Sequence, residues 1–70
     1  MIPLTFANTG EELIIGKIGG NSDTKRFLES LGFVAGTEVS VVSEMGGNVI
    51  VRVKDSRVAV SKEMAQRIMV

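Results

Sequence analysis

The sequence predicts a mainly β domain with one or two short helices, its strands wrapped into a small, strongly bent sheet or partly open barrel. Valines alternate with polar residues through TEVSVVSE (37–44) and VIVRV (49–53), the period-two pattern of strands with one buried face. Glycines fall where the apolar runs break, at the bends such a sheet needs. DTKRFLESL (23–31) is the main stretch with helical spacing. With 70 residues there is room for one domain, near the size at which a core supplies only ~3 to 5 kcal/mol.

Pro3 to Ala7 is a short apolar lead-in closed by the turn cluster Asn8-Thr9-Gly10. ELIIGKI (12–18) is β-rich. Alternation places Leu13 and Ile15 on one face and Ile14 and Ile18 on the other, and Gly16 marks a bulge or sharp bend. After Gly19-Gly20, Asn21 or Ser22 caps a two-turn helix that carries Phe27, Leu28 and Leu31 on its apolar side.

The stretch SLGFVAGTE (30–38) specifies two backbone devices. Gly32 ends the helix in the left-handed conformation, and Phe33 folds back onto Leu28 in a Schellman arrangement. Val34-Ala35-Gly36-Thr37 then fits a type II turn, with Gly36 at the third position where φ must be positive.

The next two strands flank MGGN (45–48). A two-residue Gly46-Gly47 turn would set Val41 opposite Arg52 and break the valine face, since directly paired residues share a face. A three-residue loop, Gly46-Gly47-Asn48, restores parity with Val41 opposite Val53, Ser43 opposite Val51 and Met45 opposite Val49. The following turn is expected at Asp55-Ser56, with Val53 opposite Val58 and Val51 opposite Val60. Ser61 caps a short helix whose stripe is Met64, Ala65 and Ile68.

The chain has no cysteine and no histidine. That excludes disulfides, thiolate clusters, imidazole metal sites and any catalytic dyad built on either side chain. A serine nucleophile would need lysine or a carboxylate as its base, and no Ser-x-x-Lys or other such pairing is expected. GKIGGN (16–21) lacks the spacing of a phosphate-binding loop. Glu11 and Glu12 point to opposite sides of an extended chain, while Asp23, Glu44 and Asp55 stand alone, so no catalytic residue, cofactor site or metal site is expected. Met45, Met64 and Met69 read as core filler.

Eight acidic and eight basic residues cancel, and aromatics are 4% of the chain. Neither the charge nor the stacking surface suits nucleic acid. No window approaches the roughly 18 apolar residues of a membrane span, and the start lacks the pattern of a signal peptide, so the expected location is cytoplasmic with no membrane insertion. The outward positions Val42, Ile50 and Ala59, beside Arg52, form an apolar group rimmed by charge, which can mark an interface.

LGFVAGTEV, the preceding KRFLES and the closing VAVSKEMAQRIMV resemble the FeoA family, the small cytosolic partners of the bacterial ferrous iron transporter, and the resemblance spans essentially the whole chain. It implies an SH3-like barrel that binds protein rather than performing chemistry, acting on a FeoB-type transporter through that protein's GTP-binding (G-protein) domain, with transition-metal-ion binding as a family-level property. Where the family has proline in the turn, this chain has Ala35. On that reading Lys25, Arg26, Glu29, Phe33, Val34, Val42 and Ile50 are the expected docking residues, and Gly32, Gly36, Gly46 and Gly47 are structural. Alternative readings are a domain like the C-terminal one of metal-dependent repressors, whose other parts have no room in 70 residues, and a nucleic-acid-binding SH3-like module. Self-association is a further expectation for so small a core.

Overall fold

Two antiparallel sheets share one chain, and the hand-over between them lies at Ile15-Gly16. In the computed structural model, which describes residues 1–70, strands β1 (Leu13–Ile14), β3 (Glu38–Met45), β4 (Asn48–Val53) and β5 (Ser56–Ser61) form a sheet in the order β1-β3-β4-β5. Strands β2 (Lys17–Ile18) and β6 (Ile68–Met69) form the second. Helix α1 (Ser22–Ser30) follows β2, and the single turn α2 (Lys62–Ala65) follows β5. Neighbouring amides reach different sheets: Ile15 N–H donates to Thr37 O at 2.9 Å and Gly16 N–H to Met69 O at 2.7 Å. The expected bend at Gly16 is therefore the corner of a partly open barrel.

The bend also resets the faces. Ile15 and Ile18 are both buried and Ile14 is 54% exposed, so the expected grouping of Ile14 with Ile18 does not hold. Strict alternation fails because the strand is interrupted after Ile14 and restarts at Lys17 in the other sheet. The lead-in is a 3-10 turn (Leu4–Phe6) that buries Leu4. Just before it, Ile2 and Val70 exchange both backbone hydrogen bonds at 2.8 Å, tying the lead-in to the second sheet next to the Pro3–Met69 bridge.

The valine face exists, in a different register. Val39 pairs with Val53 and Val41 with Val51, after which one extra residue, Val42, interrupts the ladder before Ser43 pairs with Ile50, Glu44 with Val49 and Met45 with Asn48. The hairpin loop is thus the two-residue Gly46-Gly47 turn, not the three-residue loop, with Gly46 at φ 60. Parity does need one residue of repair, and a bulge at Val42 supplies it. The bulge sits where the lead-in meets β3: Thr9 bridges to Val41, and Gly10 N–H donates to Val41 O at 2.8 Å.

The second turn falls at Lys54-Asp55, with Val53 opposite Ser56, Arg52 opposite Arg57, Val51 opposite Val58 and Val49 opposite Val60. This differs by two residues from the expected pairing, so the face is kept while every partner changes. It also places Lys54 at φ 55. The longer ladder brings Asn48 opposite Ser61, and Lys62 N–H closes it on Gly47 O at 2.9 Å.

Thirteen side chains are buried, none of them polar or charged. Seven come from this face and its rim: Val39, Val41, Val49, Val51, Val53 and Val60, with Phe33 closing one end. Leu4, Ile15, Ile18, Leu28, Ala65 and Ile68 complete the core from the second sheet and the helices. Each such aliphatic burial contributes roughly 1.5 to 3 kcal/mol against the entropy of ordering the chain. Ser61 caps α2, accepting from Met64 N–H at 3.2 Å. Ile68, expected on that helix, lies in β6 instead, and Met45 is 68% exposed rather than core filler.

Candidate docking surface

Helix α1 owes its start to Asn21, whose side chain accepts from Thr24 N–H at 2.8 Å, satisfying one of the donors every helix leaves open. Leu28 is its buried contact, with Thr24 and Leu31 half-buried on the same side. Lys25, Arg26 and Glu29 are exposed, with Arg26 nearly opposite Leu28 and Lys25 and Glu29 on the flank away from Phe27. Phe27, read in the sequence as part of the apolar stripe, is 49% exposed: its position is at the flank, next to Thr24 and Leu31 in the helical net.

The helix stops as the Gly32 pattern requires. Phe33 N–H donates to Leu28 O at 3.1 Å and Gly32 N–H to Glu29 O at 3.0 Å, with Gly32 at φ 106, which is the paired hydrogen bonding of a Schellman motif. Phe33 and Leu28 are both wholly buried in the core cluster. Phe33 therefore presents no surface to a partner, which corrects its place among the docking residues: the motif that stops the helix folds its ring inward. Thr37 N–H then donates to Val34 O at 3.1 Å across Ala35-Gly36, with Gly36 at φ 90, the hydrogen bond and φ sign of a type II turn. Val34 remains half-buried at the start of that turn.

The remaining docking candidates stand elsewhere. Ile50 and Val42 are half-buried, and Ile50 lies between Ser43 and Ala59 across the sheet. In β4, Ile50 and Val53 have opposite parity and so point to opposite faces. The end of α1 packs on the Val53 side, where a Cβ placed on Gly32 would be 3.5 Å from Val53 Cγ2. The structure thus divides the candidates into a helix-and-turn group (Lys25, Arg26, Glu29, Val34) and an outer-sheet group (Val42, Ile50).

Two arrangements escape the sequence reading. Arg52 and Arg57 are direct cross-strand partners, on the outer face because they alternate with the buried valines; the shifted turn is what brings them together. Both border a shallow groove with Lys54 and Asp55, and Arg52 also borders a second groove that carries Glu12, Glu38, Lys54 and Asp55. Ser22 and Lys25 stand at the Ser-x-x-Lys spacing of some acyl-transfer enzymes, but both are exposed and neither is among the side-chain hydrogen bonds. No three Asp or Glu side chains gather as a metal site, and no helix is long and apolar enough to cross a membrane.

With this geometry in place, comparison with known proteins is direct. The FeoA domain model matches residues 2–70. A Methanocaldococcus jannaschii protein provisionally named Fe(2+) transport protein A is 37% identical over 70 residues, all of this chain and 85% of that protein. A crystal structure of an iron uptake regulatory protein (FeoA) superposes with a TM-score of 0.86 at 30% identity, covering 96% of this chain and 89% of the other. A zinc-complexed FeoA from Stenotrophomonas maltophilia, described as an SH3 domain, superposes with a TM-score of 0.81 at 25% identity, over 99% of this chain and 87% of that one. A family match over residues 2–70, a relative at this identity and solved FeoA structures that superpose over nearly the whole chain agree, and the chain belongs to the FeoA family.

Proposed function

We propose that this chain is a cytoplasmic accessory protein of ferrous iron uptake that binds the GTP-binding domain of a FeoB-type transporter by protein-protein contact. The observation that carries the reading is the placement of exposed charges and a half-buried valine on one helix and the hydrogen-bonded turn that follows it. The charged side of α1 (Lys25, Arg26, Glu29) runs through a hydrogen-bonded helix stop into Val34, an apolar side chain left at the edge of the core. Such a surface is pre-organised, so little side-chain and backbone entropy is lost on docking. Its chemistry is recognition: charges that steer and register a partner around a small apolar anchor.

The role follows from binding alone. A docked domain shifts its partner's conformational equilibrium by the difference in its affinity for the two states, with no reacting group of its own. The test is a pull-down and a calorimetric titration against the transporter's cytosolic domain, with and without guanine nucleotide and ferrous ion. Binding by the wild-type chain, lost in the folded double variant Glu29→Arg, Val34→Asp, is the expected outcome. Retained binding by that variant would remove α1 and Val34 from the interface, and absence of wild-type binding in every nucleotide state would remove the partner.

A further inference from the structure

The two edges of the main sheet are unequal. At one side β1 is two residues long, and the segment before it is tied to β3 through Thr9 and Gly10. At the other side β5 runs for six residues as a terminal strand. The pair that closes a two-residue hairpin exchanges both its hydrogen bonds, and bonded and non-bonded pairs then alternate. Val53 and Ser56 are that closing pair, so Arg57 and Ala59 direct their N–H and C=O groups away from β4. Neither residue takes part in any of the backbone hydrogen bonds outside the regular elements. Both are exposed, and their side chains share the outer face with Arg52 and Ile50, their partners on β4.

Exposed edges are ordinarily blunted by short length, charged side chains, proline, a bulge, or a covering helix or loop. β5, SRVAVS, is six residues long with no proline and no bulge, and its one charged side chain, Arg57, faces a like charge directly across the sheet. Like charges at such positions are destabilising, and neither guanidinium donates a hydrogen bond to a carboxylate, although Glu12, Glu38 and Asp55 lie in the groove beside Arg52, and Asp55 in the one beside Arg57. An added strand would supply what is missing: main-chain groups for Arg57 and Ala59, and a carboxylate on the outer face beside Arg57 and within reach of Arg52. A residue opposite Ala59 would meet a small side chain with half-buried Ile50 behind it, a setting for an apolar group.

We infer that β5 is a β-augmentation edge for an extended segment of another protein, carrying an acidic residue opposite Arg57 and an apolar residue two positions away opposite Ala59. A second copy is the poorer occupant, because β5 contains no acidic residue to offer Arg57. This surface is separate from α1 and Val34, and the inference holds whether or not a transporter domain docks there.

The probes are two capped threonine-rich peptides holding one glutamate and one isoleucine two positions apart, in the two possible orders, and matched peptides with lysine in place of glutamate. Amide hydrogen exchange and amide NMR shifts of the full chain are the readouts. In the free protein the Arg57 and Ala59 amides exchange quickly; a glutamate peptide protects both, and the lysine peptides do not. Arg57→Glu reverses the preference, with a swing of roughly ten-fold from an opposite-charge to a like-charge cross-strand pair. Ala59→Pro removes an outward N–H, which an edge strand tolerates, and abolishes peptide protection at Arg57 while the remaining amides stay folded. Concentration-dependent protection of these amides without peptide would overturn the inference in favour of a second copy. Binding indifferent to charge reversal, or shifts confined to other strands, would overturn it outright.

Discussion

Gly36 N–H donates to Ile15 O at 2.8 Å while Ile15 N–H donates to Thr37 O at 2.9 Å, so the turn after the helix is bonded in both directions to the corner between the two sheets. The local device that redirects the chain into β3 is thereby also a brace for the barrel. Changes in this turn should act on the stability of the whole domain.

Ala35 is the second residue of that turn, is exposed, and its N–H donates no backbone hydrogen bond among the turns and loops. Proline there removes freedom from the unfolded chain and nothing from the folded one. Ala35→Pro should stabilise by about 0.4 to 1 kcal/mol, read as a higher urea midpoint at unchanged slope. A lower midpoint would refute the turn geometry.

Gly32 and Gly36 separate conformational strain from crowding. A Cβ at Gly36 meets nothing within 4 Å, and at Gly32 it makes only ordinary contact with Val53. Gly32→Ala and Gly36→Ala should each destabilise by about 1 to 2 kcal/mol through positive φ alone. A steric effect would instead make Gly32→Ala clearly the worse of the two on denaturant unfolding.

Lys54 holds φ 55 in the β4-β5 turn without being glycine. The left-handed conformation disfavours lysine by about 1 to 2 kcal/mol, against roughly 0.5 to 1 kcal/mol of extra chain entropy for glycine. Lys54→Gly should therefore be neutral to stabilising, by up to about 1.5 kcal/mol. Thermal unfolding of the two proteins side by side decides this, and a clear loss would show that the lysine side chain contributes packing over the turn.

Phe33→Ala empties the largest wholly buried side chain. Truncations of this kind cost about 3 to 5 kcal/mol, comparable to all that a domain this small has in hand. The variant should be largely unfolded at room temperature by amide NMR, and a well-dispersed spectrum at wild-type stability would contradict the placement of the ring.

Much of the architecture was legible because its causes are local. Asn21 and Ser61 as caps, Gly32 followed by an inward Phe33, and the turn at Gly36 depend on hydrogen bonds and φ signs within a few residues, which the chain specifies wherever it sits. The valine face was legible too, since alternation survives any register shift of two. The docking candidates were read less fully. Nothing in the spacing of Phe33 says that its ring lies inside rather than out, and nothing in the composition pairs two arginines.

The sequence by itself determined the fold class, the helix with its two ends, the parity that the first hairpin had to repair, and the family likeness. Tertiary structure alone decided where that repair went: a bulge at Val42, because the lead-in had to bond to Val41 there. It also decided which residues lie opposite one another on β4 and β5. Registers two residues apart bury the same valines and differ little in local energy, so the choice falls to contacts distant in sequence. That choice placed Arg57 across from Arg52 on the outer face of the sheet, along the strand that ends it.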